Sequence, residues 1–471
     1  MPFLRVLLWS AVAAGGAIAF AALALSRGEG INSAWLLTAA VCTYVVAYRF
    51  YSRFLARTVL APADGRATPA EFKNDGRDFV PTNKWVVFGH HFAAIAGAGP
   101  LVGPVLAAQF GFLPGTLWLI VGVVVGGAVQ DLVVLFFSTR RSGKSLAEIA
   151  RDEVSKITGV VSLVAILVIM VILIAVLALV VVNALAESPW GSFTILMTIP
   201  IALFMGWYMR LLRPGKVLEA SVIGVALLLF SVVAGQWIAQ SPVLGPAFSF
   251  SKTTLAWSII FYGFLASVLP VWLLLAPRDY LSTFMKIGTV VALAIGILLI
   301  RPDLHMPALT KFIDGNGPVL PGSLFPFCFI TIACGAISGF HSLVSSGTTP
   351  KLVMKESHIR PIGYGAMLME SGVGIMAMIA ACVLEPGTYF AMNTPVVALG
   401  GTVESAARTI SSWGFTTSAA AIHETGRLIG ESTILGRSGG APTLAVGMAR
   451  IFSAVIGGDA MMAIWYHFAI M

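Results

Sequence analysis

Residues 89–100 read GHHFAAIAGAGP, and they interrupt an apolar stretch that is long enough to cross a membrane. Residues 339–350 read GFHSLVSSGTTP and interrupt a second such stretch. Glycine, histidine, glycine and proline occupy the same four relative positions in both. Polar backbone broken by Gly and Pro is costly in hydrocarbon unless it lines a cavity or an ion path. A pair of interrupted segments therefore predicts the binding site of a transporter.

The composition is that of a membrane protein. Hydrophobic residues make up 58% of the 471 positions and charged residues 11%, whereas a soluble domain is about 25% charged. The net charge of +8 does not indicate a nucleic-acid partner, because the basic residues alternate between loops and form no basic face. The four cysteines lie far apart in apolar runs, so we expect no disulfide, no metal and no cofactor.

The predicted fold is an all-α polytopic membrane protein of about 11–13 transmembrane helices. The candidate spans lie near residues 5–25, 33–51, 85–110, 114–137, 158–183, 192–211, 217–238, 254–275, 282–300, 324–345 and 363–384, with a short apolar piece at 441–457. The part at 385–440 is less regular. The last apolar run, 460–471, is too short to span. We therefore expect a single transmembrane transporter domain over residues 1–471, truncated within its last helix.

The basic residues predict the orientation. With a cytoplasmic N-terminus, 21 of the 29 Lys and Arg residues fall in loops on the inner side. Such a bias is typical of cytoplasmic loops. The two interrupted segments then run antiparallel, as in an inverted-topology repeat of the amino-acid-transporter kind. Chance similarity is the alternative, because the chain holds 48 glycines.

The interrupted segments supply the predicted substrate site. Glycine permits close backbone approach and proline ends a helix, so the half-helix that follows would point its positive N-terminal end into the membrane. Hydroxyl groups in the second segment add polar ligands. The predicted substrate-binding residues are Gly97, Gly99, Pro100, His341, Ser345, Ser346, Thr348 and Thr349.

Four ionisable residues at membrane depth are predicted to couple transport to protons: His91, Asp131, His341 and Glu370. Histidine titrates near neutral pH, and an ionisable side chain within a span is a functional candidate by default. The alternative for each is a hydrogen bond that only packs helices together. Arg278 and Asp279, after a proline, are interpreted as a local ion pair at the membrane surface.

One motif suggests an enzyme. Residues 436–440, GRSGG, fit the G-x-S-x-G pattern of serine hydrolases. That motif requires a strand, a sharp turn and a helix, and the surrounding sequence predicts no strand. We therefore expect no enzyme activity, and an intramembrane hydrolase that uses Ser438 is kept only as an alternative.

At these residues the chain resembles the bacterial carbon starvation protein A family. The resemblance rests on residues 88–104, 127–131, 269–282, 338–351, 440–447 and 465–470, and it extends over essentially the whole chain. It implies a multi-pass transporter of the bacterial inner membrane that takes up peptides during carbon starvation by symport with protons. It also implies a longer parent chain.

Three alternatives stay open at this point. Related members of the family imply pyruvate or another small carboxylate as the substrate, and sodium remains open as the coupling ion. The third is a membrane nutrient sensor, although the sequence shows no output domain. The sequence does not determine the oligomeric state.

Overall fold

Helices account for nearly all regular structure in this protein. The computed structural model describes residues 30–213, 216–269 and 275–471, together with single positions before residue 30 (Gly15, Ile18, Ala19, Ala22 and Ser26). Within these residues the chain forms no β-strand, only two isolated β-bridges. The predicted first span at 5–25 lies outside the described ranges. The predicted all-α polytopic architecture is confirmed.

The first half of the chain contains helices α1 to α10. Their bounds are α1 Ser33–Leu60, α2 Pro69–Phe72, α3 Lys84–Ile95, α4 Gly99–Ala107, α5 Phe112–Arg140, α6 Leu146–Glu153, α7 Lys156–Leu185, α8 Pro189–Trp207, α9 Val217–Gln240 and α10 Leu244–Phe248. Every span predicted between residues 33 and 238 corresponds to one of these helices or to the pair α3 and α4.

The second half contains helices α11 to α21. Their bounds are α11 Lys252–Val268, α12 Leu275–Ile300, α13 Leu324–Thr331, α14 Ala333–Ala336, α15 Gly339–Gly347, α16 Ala366–Cys382, α17 Pro386–Asn393, α18 Val403–Ser412, α19 Ala419–Ile429, α20 Ala441–Val455 and α21 Met462–Ile470. The region predicted to be irregular, 385–440, contains the short helices α17, α18 and α19.

Six helices of the described chain are long and apolar enough to cross a membrane, and the bent pair α3–α4 makes a seventh. They differ in how they are surrounded. In α7 none of the 18 residues of the most apolar stretch is buried. In the helix of residues 356–382, which contains α16, 83% of the corresponding stretch is buried. The helix of 356–382 therefore lies at the centre of the molecule and α7 on its lipid-facing side.

Both predicted broken spans are broken. The pair α3 and α4 bends by 45° across residues 96–98. The second span consists of three pieces, α13, α14 and α15, and the chain between α14 and α15 is extended at Ile337 and Ser338. The break in this second span therefore precedes residues 339–350. The sequence had placed it within those residues, at Gly347 and Pro350.

The loops predicted to share the inner side meet at one end of the molecule. Arg140 contacts Glu356 at 2.9 Å, and its Nη2 also donates to the carbonyl of Ala61. Thr82 forms a β-bridge with Val353. Three of the segments predicted to lie on the inner side are thus held together, and the side of the membrane that they face stays a prediction.

Candidate substrate and proton site at the broken helices

One histidine lies between two carboxylates in the centre of the molecule. His341 Nδ1 is 3.1 Å from Asp131 Oδ2, and His341 Nε2 is 3.1 Å from Glu370 Oε2. All three side chains are fully buried. The structure therefore brings together three of the four residues predicted to couple protons, from segments that are far apart in sequence. We refer to Asp131, His341 and Glu370 as the buried triad.

Each member of the buried triad comes from a different span. Asp131 is on α5, His341 is in the first turn of α15, and Glu370 is on α16. Helix α5 approaches the second break closely at Gly127, where a Cβ atom would overlap the carbonyl oxygen of Ala336. Glycine at this position permits the approach that brings the carboxylate of α5 to the imidazole of α15.

The buried triad keeps unused hydrogen-bonding capacity. Asp131 Oδ1 has no hydrogen-bond partner, and the close contact between His341 Nε2 and Glu370 Oε2 lacks the geometry of a hydrogen bond. Buried polar atoms are nearly always paired, so unpaired ones in a native core call for an explanation. A proton or a polar ligand that enters the site would supply the missing partner.

The fourth predicted residue, His91, is buried outside the buried triad. Its Nδ1 lies 2.8 Å from Thr349 Oγ1, and its Nε2 has no hydrogen-bond partner. This contact joins the two Gly/His/Gly/Pro segments directly, since His91 belongs to the first and Thr349 to the second. The sequence predicted both residues as site candidates, and the structure places them against each other.

The glycines and the proline of the first segment lie at its break. Gly97 is within the break, and a Cβ atom there would meet no heavy atom within 4 Å. A Cβ on Gly99 would overlap the side chain of Cys334. Pro100 is buried in the first turn of α4. The open space at Gly97 leaves room for a ligand beside the break.

The hydroxyl groups of the second segment divide into two kinds. Ser345 is fully buried and its Oγ has no partner. Ser346 Oγ instead donates to Ser342 O at 2.7 Å and accepts from Leu146 N at 3.2 Å. Thr348 is exposed. Ser346 and Thr348 lie at the end of α15 beside surface segments, so the structure does not bring them to the buried triad.

Cys334 is the residue of this site that the sequence analysis missed. Its Sγ lies 3.8 Å from Glu370 Oε1, although its apolar surroundings predicted only packing. Cys334, His341 and Glu370 each offer one ligand atom, and these three atoms lie within 4.8 Å of one another. That is close enough for a single metal ion. Its position seven residues before His341, in the second interrupted span, was the available signal.

A second buried ion pair lies away from the broken helices. Arg437 Nη2 is 2.6 Å from Glu431 Oε2, and Ser188 Oγ donates to Glu431 Oε1 at 2.7 Å. This pair ties the loop before α20 to the start of α8. The neighbouring Ser438 has no hydrogen bond to a histidine or a carboxylate among the described residues, so the hydrolase alternative gains no geometric support.

The predicted surface ion pair of Arg278 and Asp279 stays a prediction. Arg278 Nη1 donates to Tyr262 Oη at 2.6 Å, and its guanidinium lies 4.9 Å from the centre of that ring. The side chain of Asp279 is outside the description. Arg278 is therefore held against α11 by an aromatic side chain.

Comparisons with known proteins agree with this architecture. The family model described as "Carbon starvation protein CstA" matches residues 32–471. The chain is 58% identical to "Peptide transporter CstA" of Escherichia coli (strain K12), covering 99% of this chain and 67% of the relative. It is 59% identical to the protein of the same name from Campylobacter jejuni subsp. jejuni serotype O:2, covering 99% of this chain and 66% of the relative.

A differently named relative is also similar. The chain is 55% identical to "Pyruvate/proton symporter BtsT" of Escherichia coli (strain K12), over 98% of this chain and 68% of the relative. The chain spans about two thirds of the length of these curated relatives. No solved structure matches it. A family match over nearly the whole chain, with identities above half, shows that this protein belongs to the carbon starvation protein CstA family.

Proposed function

We propose that this protein is a secondary transporter that takes up peptides by symport with protons. The observation that carries the proposal is the buried triad, one imidazole between two carboxylates at the second broken span. Most of the similar relatives are named as peptide transporters. Ionisable groups inside a membrane domain are typical of proton relays.

The charge of the buried triad explains how a proton would drive transport. With an imidazolium and two ionised carboxylates, the buried triad carries one net negative charge, and one more proton makes it neutral. A net charge is expensive in a dry core, whereas a neutral, hydrogen-bonded group is not. Protonation therefore favours the closed conformation needed for reorientation. The membrane potential adds about 2.3 kcal/mol per charge per 100 mV.

The substrate would bind beside this charge-changing group. Gly97 opens onto free space at the first break, and Ser345 offers a buried hydroxyl without a partner. His91 and Thr349 connect the two broken spans. We assign Gly97, Ser345 and the His91–Thr349 contact to the substrate side, and the buried triad to the proton side.

Pyruvate is the second candidate substrate, because one relative is named as a pyruvate/proton symporter. A competition assay separates the two: unlabelled pyruvate displaces labelled dipeptide only if both use one site. The names of the relatives do not favour the nutrient-sensor alternative. They also agree with the expectation that the protein is not an enzyme.

We also propose that the protein lies in the bacterial inner membrane with its N-terminus in the cytoplasm. The inner-side loops gather at one end through Arg140 and Glu356, which supports this orientation. The variants Asp78→Cys and Asn316→Cys, each made with Cys42→Ser, place one thiol at each predicted side. A membrane-impermeant maleimide should label only Asn316→Cys in intact cells.

Uptake into proteoliposomes tests the transport mechanism. We expect an inward proton gradient to drive accumulation of a labelled dipeptide, and a protonophore to abolish it. Glu370→Gln removes the titratable carboxyl group with little change in shape, so gradient-driven uptake should be lost while substrate exchange across the membrane persists. Glu404→Gln, at an exposed position, is the matched control. Full proton-driven uptake by Glu370→Gln would contradict the proposed role of the buried triad.

A further inference from the structure

Three side chains with metal-binding atoms surround one point of the second broken span. His341 Nε2 is 3.1 Å from Glu370 Oε2, and Cys334 Sγ is 3.8 Å from Glu370 Oε1. Zinc bonds of about 2.0–2.3 Å in a tetrahedron separate the ligand atoms by about 3.3–3.8 Å. The spacings in this cluster are close to that range, so small side-chain rotations suffice to admit a metal ion.

Asp131 determines which nitrogen of the imidazole is free to bind a metal. His341 Nδ1 is hydrogen-bonded to Asp131 Oδ2 at 3.1 Å. When Nδ1 carries the proton, it donates to this carboxylate, and the lone pair of Nε2 faces Glu370. Metal-binding histidines almost always donate their other ring nitrogen to a carboxylate, a carbonyl or water. The contact between Asp131 and His341 therefore supplies the outer partner that a metal-binding imidazole requires.

The facing atoms of His341 and Glu370 are without a hydrogen bond. Neither His341 Nε2 nor Glu370 Oε2 has a hydrogen-bond partner among the described residues, although both side chains are fully buried. With Nδ1 protonated, a lone pair faces a carboxylate oxygen, and these two acceptors repel each other unless a cation lies between them. A proton is one such cation and a metal ion is another. The unpaired atoms thus point to a bound cation.

The donor atoms of the cluster select among metal ions. Cys334 offers a sulfur, His341 a nitrogen and Glu370 an oxygen. Mg²⁺ and Ca²⁺ prefer oxygen ligands, whereas thiolate and imidazole ligands suit Zn²⁺. A thiolate and a carboxylate also neutralise the two charges of the ion, and buried charges require such pairing. Three protein ligands leave the fourth tetrahedral position for water or another small donor.

The first broken span packs against the thiol of this cluster. A Cβ atom on Gly99 would lie 2.5 Å from Cys334 Sγ, so glycine at this position leaves the space that the sulfur occupies. Cys334 is only partly buried, whereas His341 and Glu370 are fully buried. The sulfur therefore lies on the more accessible side of the cluster, from which an ion would reach the imidazole and the carboxylate.

We propose that Cys334, His341 and Glu370 bind a zinc ion, with Asp131 as the outer partner that orients the imidazole. The cysteines alone predicted no metal because they lie far apart in the sequence, but these ligands come from two spans that meet only in the folded protein. The site goes beyond the proposed transport function. Its effect on uptake rests on that function: a bound ion occupies His341 Nε2 and stops proton-driven uptake.

Cobalt binding to the purified protein, freed of any affinity tag, tests the site. A thiolate bound to Co²⁺ gives a charge-transfer absorption band in the near ultraviolet. We expect this band in the unsubstituted protein and expect Zn²⁺ to remove it by displacing the cobalt. Cys334→Ala should abolish the band and weaken zinc binding by more than about 100-fold, because a ligand matters more than an outer partner. Cys328→Ala, at another buried cysteine of the same broken span, is the matched control.

Asp131→Asn tests the outer partner. We expect zinc affinity to fall by about 10–100-fold while the charge-transfer band persists, because the three ligands remain. Thermal unfolding without metal verifies that each variant is folded. A missing charge-transfer band in the unsubstituted protein would overturn the proposal. So would an equal band and equal zinc affinity in Cys334→Ala, and unchanged zinc affinity in Asp131→Asn would overturn the role of its carboxylate.

Uptake into proteoliposomes separates the metal site from the proposed function. We expect Zn²⁺ to inhibit proton-driven dipeptide uptake by the unsubstituted protein and to inhibit the remaining uptake of Cys334→Ala far less. Inhibition of equal strength in that variant would overturn the proposal, because zinc would then act elsewhere. Zinc binding with the cobalt signature but without inhibition would support the metal site and contradict the coupling role of His341.

Discussion

The two broken spans contain the same Gly/His/Gly/Pro pattern but use it differently. In the first, Gly97 lies in the break and Pro100 begins the next half-helix. In the second, the break at Ile337 and Ser338 precedes the pattern, and Gly347 ends a half-helix beside the surface loops. Glycine and proline permit a break, but the neighbouring helices determine whether the backbone breaks there.

The two broken spans contribute different parts of the candidate site. The first span contributes open space at Gly97 and a carbonyl at Ala93 that receives Lys286. The second contributes His341, whose imidazole contacts two carboxylates. The first break therefore opens onto free space, and the second carries the ionisable groups. We infer that substrate recognition depends mainly on the first span and proton coupling mainly on the second.

The largest expected effect comes from removing the imidazole of the second span. His341→Ala leaves two buried carboxylates without the group between them, so proton-driven uptake should fall by about 100-fold or more. Uptake into proteoliposomes measures this loss. His423→Ala changes an exposed histidine and is the matched control. Normal uptake by His341→Ala would contradict the assignment of proton coupling to the second span.

A smaller effect is expected from filling the close approach between α5 and the second break. Gly127→Ala places a methyl group against the carbonyl of Ala336, and such overpacking costs about 1–3 kcal/mol. Thermal unfolding in detergent should show a lowered midpoint. Gly347→Ala is the matched control, because no heavy atom lies within 4 Å of its added Cβ. Equal midpoints for the two variants would contradict the described packing.

The smallest effects distinguish the two serines of the second span. Ser346→Ala removes hydrogen bonds to Ser342 and Leu146, so stability should fall by about 1 kcal/mol. Ser345 Oγ has no partner, so Ser345→Ala should leave the unfolding midpoint unchanged and weaken substrate binding. These variants are compared by thermal unfolding and by dialanine binding. The reverse pattern would assign Ser346 to the substrate and Ser345 to the fold.

The residues of the buried triad could be named from the sequence because each breaks a strong rule. Asp131, His341 and Glu370 are ionisable side chains in stretches that are otherwise apolar, and such residues are rare in spans without a function. Cys334 looked like a small apolar residue. Composition did not show that it borders the site, and its position seven residues before His341 was the available signal.

The sequence by itself determined the membrane class, the approximate bounds of most helices, the existence of two broken spans and the family resemblance. The first three follow from local properties, namely apolar length, Gly and Pro content, and loop charge. The resemblance rests on long matching stretches such as residues 88–104 and 338–351. Only the tertiary structure decided where the second break lies, that one imidazole touches both carboxylates, and that His91 contacts Thr349 across the two broken spans. Those features depend on contacts between helices far apart in sequence, as at Gly127 and Ala336, and no local pattern encodes them.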